Sequence, residues 1–159
     1  MLTPLDDTIG SVAVAVNYNG TIVERAVTLK RQSPSLLHFD GVSDFIATHP
    51  DYSLAARAWL YPGISTPAQA GETIILWGVG FGLPQSPLTA GAATQSGVFA
   101  EPVVCTVDNV PAATSLNLVS PGLYQINLTV PRETPSGTHG VPCTYRGLSL
   151  GSGYIETEN

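Results

Sequence analysis

The fold of this protein is decided by one stretch of sequence, PGLYQINLTVP, which runs from Pro121 to Pro131. The even positions from Tyr124 to Val130 are apolar, whereas the odd positions from Gln125 to Thr129 are polar. Successive side chains of a β-strand point to opposite faces, so this alternation predicts a strand with one buried face. Proline at both ends marks where the strand stops.

The composition extends this prediction to the whole chain. Its 159 residues are enough for one domain with a substantial core. Only 11% of them are charged, whereas 16 glycines and 13 prolines supply the turns that many short strands require. The chain is therefore predicted to be all-β.

An N-terminal β-hairpin is predicted from two apolar patterns separated by a turn. Valine alternates with alanine over residues 12–16, and apolar residues recur on one face over residues 21–29. Between them, Asn19 and Gly20 both adopt positive φ readily, as the two central positions of a type I′ turn require.

Downstream of residue 66, short strand-like segments follow one another closely. The apolar run Glu72–Trp77 suits a strand that is buried on both faces, and further strands are predicted at residues 103–107, 115–119, 123–130, 141–145 and 152–157. This spacing predicts an Ig-like antiparallel β-sandwich, with Trp77 and Tyr124 between its sheets. Residues 52–60 are compatible with two helical turns, and an extended conformation is nearly as well supported.

Cys105 and Cys143 each lie in a strand-like segment, and the two segments are candidates for neighbours in one sheet. A disulfide is favoured over two buried thiols, because the spacing matches no metal site and neither cysteine has a His or Lys neighbour. In the chain-entropy account such a bridge adds about 4 kcal/mol of stability, provided that the compartment is oxidising.

A set of motifs in fixed order resembles a known family. The motifs are Gly71–Gly82, Pro102–Ala112, Pro121–Pro131 and Gly137–Val141, and the chain from Pro34 to Tyr154 is similar to the Solibacter-type C-terminal domain of secreted Acidobacteria proteins. That family is related in pattern to Ig-like and IPT/TIG modules. The resemblance implies a β-sandwich at the cell surface or outside the cell, without catalytic residues. The chain departs from the family at Cys105, at Cys143 and at residues 59–61.

The resemblance also implies a division of the chain at Pro34. Residues 1–33 correspond to the last two strands of a preceding repeat, with Ser11–Val16 and Val23–Leu29 in those places, and residues 34–159 form the sandwich. Strands that lack a sheet of their own pair with whatever edge is offered, and donation to the next subunit gives a head-to-tail filament. The candidate assembly residues are Val12, Val14, Val16, Val23, Val27 and Leu29.

The charge pattern and the motifs argue against several other functions. The net charge is −6, and the six Lys and Arg residues are scattered, so no basic patch for nucleic acid is expected. No apolar run is long enough to insert into a membrane. The glycine-rich residues 78–82 lack the spacing of a dinucleotide-binding loop and are expected to form a bend at a strand end. His38, His49 and His139 are expected to be solvated loop residues.

No nucleophile elbow and no acid–base pair is recognisable, so the chain is expected to be neither an enzyme nor dependent on a cofactor. Trp59 and Tyr61 offer a possible platform for stacking on polysaccharide, although core packing is the simpler interpretation of these aromatic residues. The sequence therefore predicts a non-catalytic extracellular structural module, which self-associates by β-strand pairing or acts as a cell-surface spacer. The alternative is a carbohydrate- or surface-binding accessory module.

Overall fold

The computed structural model describes residues 8–39 and 42–159, so part of the predicted N-terminal segment, residues 1–7, lies outside the described residues. In the described ranges the chain forms β-strands and no helix, which confirms the predicted all-β class. The strands are β1 (Gly10–Tyr18), β2 (Thr21–Leu29), β3 (Ser35–Leu36), β4 (Ala47–Thr48), β5 (Leu54–Ala55), β6 (Ser65–Thr66), β7 (Ala68–Gln69), β8 (Thr73–Val79), β9 (Gly97–Val98), β10 (Val104–Val107), β11 (Val110–Ser120), β12 (Leu123–Thr129), β13 (Gly137–Tyr145) and β14 (Leu148–Glu158).

Strands β1 and β2 form the predicted N-terminal hairpin. They pair antiparallel along their whole length, from Gly10 opposite Leu29 to Tyr18 opposite Thr21. Asn19 and Gly20 have φ values of 50° and 84°, which are the left-handed conformations of a type I′ turn. The hairpin is a two-stranded sheet of its own, separate from the sheet that builds the rest of the domain.

The remaining strands form two layers that share β11. The first layer has the order β6-β5-β4-β8-β12-β11, with β3 beside β8 and β9 beside β11, and the second has the order β11-β10-β13-β14-β7. Residues 110–112 of β11 pair with β10, whereas residues 113–120 pair with β12. One long strand thus passes from one layer to the other, which is a usual way to make the corner of a β-sandwich.

The opposite edges of the two layers are joined at Pro67. Strand β6 is parallel to β5 in the first layer, and β7 is parallel to β14 in the second. Proline has no amide hydrogen to donate, so Pro67 cannot continue either ladder, and the chain steps between the layers there. The sandwich is therefore nearly closed and barrel-like, and these two short parallel pairs differ from the antiparallel pairing that the sequence predicts.

The space between the layers is filled by apolar side chains. Tyr124 lies there as predicted, with its ring 5.2 Å from that of Phe81 and its Oη donating to the Gly82 carbonyl at 2.6 Å. The largest fully buried side chains are Tyr145, Phe45, Phe81, Ile74, Leu76, Leu116, Ile126 and Leu128.

The prediction for Trp77 is wrong. Its side chain is half-buried on the outer face of the first layer, where Nε1 donates to Thr48 Oγ1 at 3.3 Å and the ring lies 6.3 Å from that of Tyr52. Strand alternation explains the placement, because Ile74 and Leu76 point into the core and the residue after Leu76 must point out.

Cys105 and Cys143 form the favoured disulfide. They lie directly opposite each other on β10 and β13, and their sulfur atoms are 2.05 Å apart. Both residues are buried in the core. The bridge thus fastens β13 to the middle of the second layer.

Residues 52–60, for which the sequence leaves two conformations open, form no helix. They contain the short strand β5 followed by turns, so the helical alternative is wrong. Strand β8 ends at Val79, and the glycines that follow, Gly80 and Gly82, have positive φ values of 78° and 89°. A Cβ atom on Gly80 would overlap the carbonyl of Ser33, and one on Gly82 would lie 2.8 Å from that of Arg31. These glycines therefore make room for the linker that leaves the N-terminal hairpin.

Candidate assembly surface

The N-terminal hairpin has two chemically different faces. Directly opposite residues of an antiparallel pair lie on the same face, and the register places Val12 opposite Val27 and Val16 opposite Val23. All six predicted assembly residues consequently share one face. We call this the apolar face; it consists of Gly10, Val12, Val14, Val16, Tyr18, Thr21, Val23, Arg25, Val27 and Leu29.

The other face carries small and polar side chains. Ala13 pairs with Ala26, and Ala15 pairs with Glu24. Ser11, Asn17 and Thr28 complete this side, together with Ile22, which is its one large apolar residue. The hairpin is thus amphipathic.

The apolar face is largely open to solvent. Tyr18 is 76% exposed, Val16 56%, Val23 49% and Val27 40%, and Val12, Val14 and Leu29 are half-buried. Covering a valine or leucine side chain completely is worth about 1.5–3 kcal/mol. A partner that covers this face would therefore gain a substantial free energy of association.

The sequence prediction missed the two large side chains of this face that are not Val or Leu, Tyr18 and Arg25. Tyr18 follows the alternation that Val12, Val14 and Val16 begin, so continuing the pattern by two residues identifies it. Arg25 is the single charged residue of the face and lies opposite Val14. Its guanidinium Nη1 donates to the carbonyl of Glu24 at 2.8 Å, which leaves its charge without a carboxylate partner among the contacts of the described residues.

The root of the hairpin is held against the body. The amide of Ser33 donates to the carbonyl of Gly80 at 2.8 Å, and the linker passes over the space that Gly80 and Gly82 leave open. The hairpin is therefore attached to the end of β8 by main-chain contacts.

The predicted sugar platform lies on the body, between β5 and β6. Trp59 is 61% exposed and Tyr61 40%, so the prediction that they fill the core is wrong. The guanidinium carbon of Arg57 lies 5.7 Å from the centre of the Trp59 ring, and the ring of Tyr61 lies 5.4 Å from that of Phe39. Arg57 is itself paired with the buried carboxylate of Asp44, 2.7 Å from Nε.

His139 is not a solvated loop residue, in contrast to the prediction. It lies in β13, is 4% exposed, and its Nδ1 donates to Asp108 Oδ2 at 2.6 Å. Its Nε2 lies 2.9 Å from the Pro135 carbonyl and 3.0 Å from Thr157 Oγ1. The hydrogen bond from His139 lowers the pKa of Asp108 below its ordinary value of 3.8.

Asp108, His139 and Thr157 resemble an acid–base–hydroxyl series, but the hydroxyl is engaged elsewhere. Thr157 is 2% exposed and donates its proton to the Pro135 carbonyl at 2.5 Å. A nucleophile must be reachable by a substrate, and this one is covered. The three residues tie the β10–β11 turn to β13 and β14.

His49 is also anchored. Its Nδ1 lies 2.6 Å from Glu72 Oε1, and its Nε2 lies 2.9 Å from Thr66 Oγ1. In the described ranges, no three His, Cys, Asp or Glu side chains come together as a ligand set for a metal ion. Nor does that part of the chain include a helix that is long and apolar enough to cross a membrane.

Fold and surface together define a β-sandwich module that carries an additional hairpin with an uncovered apolar face. Comparison with protein families, with curated proteins and with solved structures finds no match in any of the three. The disulfide is compatible with an extracellular protein.

Proposed function

We propose that this chain is a non-catalytic structural module of the cell exterior that assembles by offering its N-terminal hairpin to a neighbouring β-sandwich. The observation that carries the proposal is the exposed apolar face of a fully paired hairpin. Such a face is aggregation-prone unless a partner covers it. The buried disulfide and the family resemblance support the extracellular setting.

Contact between the hairpin of one copy and the body of the next joins two different surfaces. Contacts of this kind do not close on themselves unless the rotation between copies closes a ring. Self-association through the hairpin therefore gives an open filament when the rotation does not close, and a module joined to a different neighbour acts as a spacer on the cell surface.

The assembly role is tested by placing one charge on either face of the hairpin. Val16→Glu puts a carboxylate on the apolar face. Ala13→Glu puts the same group on the opposite face, where Ala13 is exposed and lies opposite Ala26. Sedimentation velocity over a range of concentrations, with electron microscopy of the same samples, measures association. We expect wild type and Ala13→Glu to associate as concentration rises and Val16→Glu to stay monomeric. A wild-type chain that remains monomeric at high concentration would contradict self-association.

A second candidate function rests on the exposure of Trp59 and Tyr61. Aromatic rings that project from a sandwich are suited to stacking on sugar rings, so the chain is alternatively a carbohydrate- or surface-binding accessory module. The test is affinity electrophoresis in gels that contain neutral or acidic polysaccharide. Trp59→Ala/Tyr61→Ala should lose retardation, whereas Tyr154→Ala, which removes a tyrosine that is 44% exposed on another strand, should retain it. If wild type and both variants migrate equally in these gels, the carbohydrate-binding function is excluded.

A further inference from the structure

The N-terminal hairpin matches the hairpin β13–β14, which we call the final hairpin, in its first strand and its turn. The second strands differ, because β14 has eleven residues and a register shift opposite Pro142–Thr144, whereas β2 has nine residues and pairs regularly. β1 and β13 each have nine residues and begin with glycine. Each ends in tyrosine, followed by a two-residue turn with positive φ at both positions, 50° and 84° in the first and 49° and 77° in the second. The sequence Gly10–Val23 therefore aligns with Gly137–Leu150 without a gap, at a constant offset of 127 residues from position 10 to position 137.

The match extends to the faces of the two hairpins. Val14 corresponds to Val141, Val16 to Cys143 and Tyr18 to Tyr145, as their positions in the strands show. These three residues of the final hairpin are at most 1% exposed, because they form part of the core. The corresponding residues of the N-terminal hairpin lie on its apolar face, where Tyr18 and Val16 are exposed.

We propose that the N-terminal hairpin is a second copy of the final hairpin, and that its partner is a β-sandwich of this architecture in which the final-hairpin position is open. This inference rests on the proposed assembly role and names the partner. In this chain the same face of the hairpin β13–β14 is covered by the core of the sandwich. In the partner, β1 would correspondingly lie beside the strand equivalent to β10.

A complete second copy of this chain is a poor acceptor at that position. Its own β13 already pairs with β10 and β14, and the Cys105–Cys143 disulfide holds it there. Each copy has two such hairpins but only one position in its sandwich that holds a hairpin. If copies exchange hairpins, one hairpin per copy therefore stays uncovered. Copies of this chain alone can associate only through the outer surfaces of their sandwiches, which is a weaker contact than burial of the hairpin in a core.

Arg25 indicates the chemistry of the partner. It lies opposite Val14 as Gly153 lies opposite Val141. In this chain a Cβ atom on Gly153 would come within 2.7 Å of the buried Phe45 ring, so an arginine has no room there. The partner must therefore present a smaller side chain than Phe45, and a carboxylate that pairs with Arg25, whose charge has no carboxylate partner among residues 8–39 and 42–159.

The inference is tested by asking whether the N-terminal hairpin sequence works as a final hairpin. In the full chain, residues 137–150 are replaced by the sequence of residues 10–23, together with Cys105→Val to remove the unpaired thiol. The matched control is the full chain with Cys105→Val, His139→Val and Cys143→Val, which loses the same disulfide and the same buried histidine. A second control is a face-exchanged transplant, in which each core-facing residue of the inserted sequence changes places with the outward-facing residue next to it. The turn residues Asn19 and Gly20 of the inserted sequence are kept.

We expect the transplant to unfold cooperatively in urea, with the far-ultraviolet spectrum and the slope of its matched control. The face-exchanged transplant should show no cooperative transition, because its apolar residues point outward. The inference is overturned if the matched control folds and the transplant does not, or if the face-exchanged transplant folds equally well. None of these outcomes depends on whether the wild-type chain self-associates, so failure here is distinguishable from failure of the assembly proposal.

Discussion

Tyr18 and Tyr145 occupy the same position in the first strands of two similar hairpins, yet one is 76% exposed and the other is fully buried. Each is the last residue of a nine-residue strand and precedes a two-residue turn with positive φ at both positions. The local pattern of the two strands is equivalent. Their surroundings differ, because only Tyr145 has a second layer of sheet over it.

The hydroxyl of Tyr145 provides the first prediction. It is buried and has no hydrogen-bond partner among the residues that the structure describes, and burial raises the pKa of this tyrosine above its ordinary value. Removing an unpaired buried hydroxyl is expected to be neutral or stabilising by about 1 kcal/mol, whereas removing a paired one costs about that much. Tyr145→Phe should therefore not lower the free energy of unfolding in urea.

Tyr124→Phe is the matched control, because it removes a hydroxyl that donates to the Gly82 carbonyl. It should cost about 1 kcal/mol. A larger loss for Tyr145→Phe than for Tyr124→Phe would show that the Tyr145 hydroxyl has a partner in solution.

The contact between Gly80 and the linker provides the second prediction. Gly80 has a φ of 78°, and a Cβ atom there would overlap the carbonyl of Ser33. We expect Gly80→Ala to lower the free energy of unfolding by about 3 kcal/mol, from backbone strain and steric overlap together. Gly91→Ala isolates the strain, because Gly91 has a φ of 74° and a Cβ atom added there would meet no other atom within 4 Å; it should cost only about 1 kcal/mol. If Gly80→Ala and Gly91→Ala lower the free energy of unfolding equally, a steric overlap between residue 80 and the linker is excluded.

The disulfide provides the third prediction. It closes a sequence separation of 38 residues, for which the chain-entropy account gives about 4 kcal/mol. Cys105→Ala/Cys143→Ala should lose about this much stability in urea while retaining the far-ultraviolet spectrum of wild type. Because both sulfurs are in the core, a mild thiol reductant should leave the folded wild type oxidised. Rapid reduction under native conditions would contradict the buried position of the bridge.

The pair of Asp108 and His139 provides the fourth prediction. The hydrogen bond lowers the pKa of Asp108 in the folded state, so its contribution to stability is complete above the ordinary carboxyl pKa of about 4 and is lost as the pH falls through the lowered folded value. Asp108→Asn tests this with little disturbance of the turn, because asparagine also tolerates the φ of 47° at that position.

The free energy of unfolding of wild type and of Asp108→Asn is measured in urea at about every pH unit from pH 2 to pH 7. The advantage of wild type should be greatest near neutral pH and should shrink below about pH 4. A difference that does not change with pH would mean that the carboxylate charge contributes nothing through His139.

Much of this architecture is accessible from the sequence, because it depends on neighbouring residues. Alternation identifies Leu123–Thr129 as a strand with one buried face, and Asn19–Gly20 identifies a tight hairpin turn. The same alternation assigns Val12, Val16 and their partners to a single face. That face extends further than predicted at Tyr18, where the pattern continues.

Other features depend on residues that are distant in the sequence. Burial of His139 requires Asp108, which precedes it by 31 residues, and the joining of the layers at Pro67 requires β7 to reach β14. Alternation puts Trp77 on the face of β8 opposite Ile74 and Leu76, but only the second layer decides which of the two faces is in the core. No local signal distinguishes these arrangements from their alternatives.

The sequence by itself therefore determined which residues extend, where the chain turns and which side chains share a face. Only the tertiary structure decided which of those faces is covered, since the equivalent residues Tyr18 and Tyr145 of two similar hairpins, β1–β2 and β13–β14, are exposed in one and buried in the other. The physical reason is that periodicity is a property of adjacent residues, whereas burial depends on a second surface that the chain must bring from elsewhere.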